Sequence, residues 1–176
     1  SSLQLVRERT RGARKIEGIP FGQVVTLGAT RVSFHPSGHI LGSAQIAVEG
    51  QGSRIVVSGD YARVHSPTCA PFEPVPCDIF VTEATFALPV FRHPPSELEI
   101  ARLLASVAAF PERSHLIGAY ALGKAQRLIA ALRAAGWDAP IYIHGALQRL
   151  CDYHIAEGID LGDLFGGIFG GEPRAP

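Results

Sequence analysis

Apolar and polar residues alternate with a period of two over two stretches near the start of the chain, and then with a helical period further on. FGQVVTLGATRVSFH, residues 21–35, reads as two short strands around a turn at Gly28, because alternation of this kind places one face of a strand inward and the other outward. After the Gly/Pro-rich loop PSGHILGS, the segments AQIAVEG and SRIVVSG form a second strand pair about a turn at Gly50–Gly52. CDIFVTEA is a short apolar run that predicts a buried strand. From Pro95 the period changes. SELEIARLLASVAAF predicts a helix with Ser96 as N-cap and Glu99 as its capping-box partner. It is followed by strand HLIGAYA, helix KAQRLIAALRAAG, strand PIYIHG and helix ALQRLCDYHIAEG. Strands alternating with helices of this length predict a parallel, helix-flanked sheet, so the fold class is α/β. The change of character over residues 86–95, LPVFRHPP, divides the chain into expected domains at 1–88 and 89–176.

Composition adds little to this and excludes several classes. The chain is 47% hydrophobic and 18% charged, which is ordinary for a domain with a core and unlike a disordered segment. Sixteen basic and sixteen acidic residues cancel, so binding to nucleic acid through overall charge is not expected and any phosphate contact must be local. The densest basic stretch is Arg7, Arg9, Arg11, Arg14 and Lys15, which taken alone reads as a solvated face. Cys69, Cys77 and Cys151 are odd in number and lack CxxC spacing, which fits free thiols in a reducing compartment. No apolar run reaches membrane-spanning length and no signal peptide opens the chain. The expectation is a cytoplasmic protein with no membrane partner. The sequence contains no Met, and neither SSLQLVRER nor LFGGIFGGEPRAP resembles a packed end; both termini are expected to be cut points of a longer chain.

The candidate chemistry lies around the second strand pair. An antiparallel pair returns the chain to where it began, so His39, in the loop before it, and Asp60, just after it, are expected at one end of the sheet. An imidazole and a carboxylate brought together suit zinc or a similar divalent ion. Glu83, at the end of the next strand, would reach the same rim. Singly, each has an ordinary alternative: a surface histidine, a turn aspartate, a turn or capping glutamate. His144 and His154 read as packed or solvent-facing, and His35, His65, His93 and His115 acquire no role. Lys124 with Gly123 opens a helix, where free N–H groups and the helix dipole favour phosphate; a plain strand–helix junction with a solvated lysine is the alternative. Tyr61 and Arg63 follow Asp60 where a substrate strand could pass, with Tyr61 either stacking on a base or packing its own loop.

The wording of the motifs carries more. HPSGHILGSAQI, VVSGDYARVHSPT and VTEATFALPVFRHP resemble consecutive motifs of the metallo-β-lactamase nucleases that carry a β-CASP insertion, and YALGKAQRLIAAL resembles the segment that opens a helix in the β-CASP part. CAPFEPVPCDIFVTEATF, FRHP and GAYALGKAQR are most similar to bacterial ligase-associated DNA exonucleases. The likeness runs roughly over residues 20–160. It implies part of an αββα sandwich, carrying the third and fourth metal motifs, followed by the first part of a β-CASP domain. It also implies two zinc ions in the complete enzyme, with manganese as the other candidate. His39 is then the third motif's histidine, Asp60 the aspartate that bridges the ions, and Glu83 the acidic residue that places a catalytic histidine. The family's HxHxDH motif is absent before His39, and no later β-CASP histidine is recognisable, so the isolated chain is expected to be inactive. The function implied for the whole protein is exonucleolytic hydrolysis of DNA in repair, beside a ligase and a helicase. The alternatives are an RNA-processing nuclease of the same superfamily and a non-catalytic scaffold that binds nucleic acid or a protein.

Overall fold

The computed structural model describes residues 16–166, so the basic stretch Arg7–Lys15 lies outside the described residues. The chain divides into two compact units between Thr85 and Phe86. The first holds a five-stranded sheet in sequence order: β1 Val24–Leu27, β2 Thr30–Pro36, β3 Ala44–Gly50, β4 Ser53–Val57 and β5 Ile79–Val81. β1 to β4 form antiparallel neighbours, and β5 joins β4 in parallel after the long segment 58–78.

Register separates the two faces of this sheet. Ser33 pairs with Ala47, and Ala47 with Val56, so these residues share a side; all three are buried, as is Gln45 beside them. Segment 58–78 is fastened to the strands on this side's rim. Ala62 N–H donates to Ser37 O at 3.0 Å, Glu73 N–H to Pro36 O at 3.2 Å and Asp78 N–H to Arg54 O at 2.9 Å. The Gln45 amide, fully buried, donates to the carbonyls of Pro36 and Glu73. His35 joins the Glu73 carboxylate at 2.8 Å through Nδ1 and the Ser33 hydroxyl at 3.0 Å through Nε2. The sequence reading gave His35 no role; here it holds the returning segment in place.

The opposite side carries Val32, Phe34, Ile46, Val48, Ile55, Val57, Ile79 and Val81 by the same register, and none of these is buried. The strand expected in CDIFVTEA therefore forms, but it is not a buried one. Ile79 is 52% exposed and Val81 49%, because β5 is the edge of the sheet and has β4 as its sole neighbour among the described residues.

The second unit contains α1 Ser96–Ala109, α2 Lys124–Ala134, β6 Ile141–Ile143, α3 Gly145–Ala156 and β7 Leu164–Gly166. β6 and β7 pair in parallel with α3 between them, a strand–helix–strand unit whose second strand the sequence pattern did not predict. Ile129 and Ala130 of α2, Ile143 of β6, Cys151 of α3 and Leu161 form its core. Arg133 ties the connections together: its guanidinium donates to the carbonyls of Leu161, Trp137, Ala139 and Asp163 at 2.6–3.0 Å.

Two local expectations fail. The N-cap of α1 is Pro95, not Ser96, and no side chain caps it. Glu99 pairs instead with Arg102 at 2.6 Å. Proline's preset φ and missing N–H already suit a helix start, so the helix begins one residue early and the capping box has no register. HLIGAYA is not a strand: residues 115–121 make no ladder, and Leu116 is 98% exposed. An apolar run acquires strand hydrogen bonds only beside another strand, and none borders it among the described residues.

A candidate metal centre at one end of the first sheet

β3 and β4 pair Ile46 with Val57 and Ala47 with Val56, and this pairing brings the loop before β3 and the residues after β4 to one sheet end. His39 Nε2 lies 3.8 Å from Asp60 Oδ2 there, with both side chains open to solvent. The arrangement rests on a repeated pattern, Ser-Gly followed by a candidate ligand, in Ser37-Gly38-His39 and Ser58-Gly59-Asp60. Both serines are fully buried. The Ser37 hydroxyl donates to the Asp60 carbonyl at 3.0 Å, joining one ligand loop to the other. The Ser58 hydroxyl donates to Gly59 O at 2.7 Å and accepts the Glu83 N–H at 3.4 Å. Ser43 closes the His39 loop by accepting the N–H groups of His39 and Ile40 at 3.2 and 3.1 Å. The repetition of Ser-Gly ahead of His39 and Asp60 is visible in the sequence, but nothing in it marks the two serines as buried.

A side chain at Gly38 would be strained. Its φ is +72°, and an added Cβ would collide with the Ala62 carbonyl and lie 2.9 Å from Phe72 N. Both neighbours are backbone, and the first belongs to the segment that carries Asp60, so close approach of the two ligand loops itself requires glycine.

Glu83 sits half-buried beside this pair. The Thr85 N–H donates to Glu83 Oε2 at 2.9 Å. Hydrogen bonds from Thr85, with smaller contributions from the Tyr61 backbone and the nearby His39, hold its carboxyl below the usual glutamate range. A carboxylate kept ionised can accept and orient a proton donor and is poorly suited to donate a proton itself.

Tyr61 faces Phe72 at 5.4 Å between ring centroids and Phe80 at 6.2 Å, the latter edge-on. Its ring is engaged in packing the loop. Arg63 is exposed.

Gly123 stands at the entrance of helix α2. Gly123 is buried, and its N–H donates to Gln126 Oε1 at 2.7 Å; a donor already taken by the helix's own side chain is not offered to phosphate. Lys124 is exposed, with Nζ 5.0 Å from the centre of the Tyr120 ring. His144 is the N-cap of α3, its Nδ1 accepting the Ala146 N–H at 3.1 Å. His154 is fully buried and donates from Nδ1 to Leu150 O at 2.7 Å.

The donor set at positions 39 and 60 suits a divalent ion in part. With bonds of about 2.0–2.2 Å to nitrogen and oxygen, one ion could touch two atoms 3.8 Å apart. Among the described residues no group of three or more His, Cys, Asp or Glu converges, so further ligands must come from elsewhere. No helix among the described residues is long and apolar enough to cross a membrane.

No protein-family profile matches the chain. Among curated proteins, it is 32% identical over 146 residues to the Endoribonuclease ysh1 of Emericella nidulans, which takes in 80% of the chain and 16% of that protein. It is 32% identical over 152 residues to the Cleavage and polyadenylation specificity factor subunit 3 of Dictyostelium discoideum, covering 80% of the chain and 19% of that protein. It is also 29% identical over 154 residues to a protein of Opitutus terrae named "Probable DNA ligase", covering 83% of the chain and 15% of that protein. The chain spans less than a fifth of the length of these curated relatives.

Proposed function

The chain belongs to the metallo-β-lactamase/β-CASP nuclease superfamily, and from that premise we propose that the whole protein hydrolyses phosphodiester bonds of RNA, using metal ions held in part by His39 and Asp60. The observation that carries this is the 3.8 Å approach of the His39 imidazole to the Asp60 carboxylate at a solvent-open sheet end. Surface histidines and turn aspartates do not need such an approach, and Gly38 and the buried Ser37 are given over to it. RNA is preferred to the DNA expected from the motif wording because relatives matched at 32% identity are named as an endoribonuclease and as a cleavage and polyadenylation factor.

When bound, zinc or manganese supplies a Lewis acid that makes water a usable nucleophile near neutral pH. This chain's own residues do the rest of what can be assigned. His39 and Asp60 fix the ion relative to the sheet. Ser37 keeps the two ligand loops together, and Glu83, held ionised, positions a proton-carrying group contributed by another part of the protein. Because two ligands are fewer than the three or four a zinc site normally uses, the present chain alone is expected to be inactive.

A second reading, DNA as substrate beside a ligase, is favoured by the relative from Opitutus terrae named as a ligase. One assay separates the two. Labelled single-stranded RNA and DNA of the same sequence are incubated with the whole protein and zinc or manganese, beside His39→Ala and Asp60→Ala. Faster loss of RNA, abolished in both variants, supports the proposal. Faster loss of DNA favours the second reading, and undiminished cleavage by either variant overturns both.

A further inference from the structure

The second unit carries an exposed aromatic ring with a cation against it, on a turn whose backbone is tied to the helix that follows. Tyr120 is 76% exposed, and Lys124 Nζ lies 5.0 Å from its ring centre. The short turn that carries the ring is bonded to the first turn of α2 at three points. Ala125 N–H donates to Tyr120 O at 3.1 Å, Gln126 Nε2 to Ala121 O at 2.9 Å, and Gly123 N–H to Gln126 Oε1 at 2.7 Å. Gln126, which makes two of these bonds, is fully buried. A second pair of the same kind lies in this unit: Arg113 stands 4.7 Å over the ring of Phe110, which is 42% exposed. The helix terminus itself offers little, since the Gly123 and Ala125 N–H groups are taken. What remains available is an ammonium and a ring face.

We propose that Tyr120 is a stacking platform for one base of a single-stranded nucleic acid, and that Lys124, held against the ring, contacts the phosphate beside that base. A ring carried on a backbone already held in place has less freedom to lose on binding. Stacking accepts any base, while a neighbouring cation answers the backbone charge. A duplex, with its bases already stacked, has no face to offer the ring. The chain's zero net charge fits a local device of this kind. The proposal rests on nucleic acid being the substrate, but not on cleavage.

The test uses the whole protein with Asp60→Ala throughout, so that the probe survives, and reads binding of a short fluorescein-labelled oligouridylate by anisotropy across a salt series. Tyr120→Ala is expected to weaken binding roughly tenfold and Tyr120→Phe to keep it. Lys124→Gln is expected to shrink the salt slope by about 0.7, one single-strand phosphate contact. The corresponding RNA duplex should bind the parent and Tyr120→Ala alike. An unchanged affinity in Tyr120→Ala, an equal loss in Tyr120→Phe, or no binding by the parent overturns the proposal. The two readings fail separately: absent cleavage with Tyr120-dependent binding removes only the nuclease function, and cleavage with Tyr120-independent binding removes only this platform.

Discussion

The Ser37 hydroxyl donates a hydrogen bond to the carbonyl of Asp60 at 3.0 Å, so the loop that presents one candidate ligand holds the backbone of the other. Fully buried, Ser37 has no competing water. If both hold the ion, His39 and Asp60 are expected to act as one unit. In the whole protein, His39→Ala and Asp60→Ala should each reduce cleavage by more than the roughly 100-fold that loss of a supporting residue costs. The double variant should be little worse than either single one, because groups that act together are not additive. Single-turnover rates on labelled RNA measure this; multiplicative losses would mean the two side chains serve different steps.

Gly38→Ala tests the loop approach without touching a ligand. The new Cβ meets backbone of Ala62 and Phe72, and φ stays at +72°, so the clash has no flexible side chain to absorb it. A loss of about 1–3 kcal/mol in urea unfolding is expected, together with weaker metal uptake. Gly52→Ala, also at positive φ but with open space around it, should show the smaller strain alone.

The hairpins were legible because period-two alternation and the turns at Gly28 and Gly50–Gly52 agree with one another. The approach of His39 to Asp60 followed from antiparallel pairing alone. Burial was not legible. CDIFVTEA looks like a covered strand and HLIGAYA like a strand, yet β5 lies at an edge and 115–121 has no ladder. Hydrophobicity tells what a segment would gain from cover, and not whether a neighbour is present to give it. Side chains that bond to distant carbonyls, such as Arg133 and Gln45, leave no periodic trace, and Ser96 looked like a cap because serine is a common N-cap residue, although Pro95 holds that place.

Glu83→Gln separates positioning from proton donation. Glutamine keeps an acceptor for the Thr85 N–H but loses the charge. For a group that orients another, kcat should fall roughly 10–100-fold with KM unchanged. The depressed pKa also sets a window. The carboxylate's contribution to stability is in place above its ordinary value of 4.5 and is lost only as pH falls through the lower folded value. An acid limb of the activity profile near neutrality should therefore persist in Glu83→Gln; its disappearance would make Glu83 the titrating group.

Arg133 donates to four carbonyls on the segments that feed β6 and β7. Hydrogen bonds to a charged group contribute about 1.5–3 kcal/mol each, though not additively. Arg133→Ala should cost about 3 kcal/mol in denaturant unfolding of the second unit. Arg133→Lys should recover little, since an ammonium cannot reproduce the planar fork.

His154 is expected to contribute to the pH response of the same unit. It is fully buried, and burial pushes its pKa below the ordinary 6.5 despite the bond to Leu150 O, which acts the other way. The folded state thus holds a neutral imidazole, while the unfolded chain takes up a proton once pH drops below about 6.5. The unfolded state then binds more protons, so stability is full above that pH and declines as pH falls from there toward the lowered folded value. Tm measured between pH 7.5 and 5 should fall in wild type and change less in His154→Gln, which cannot titrate, even if that variant starts from a lower Tm. A parallel decline in both would trace the acid sensitivity to another group.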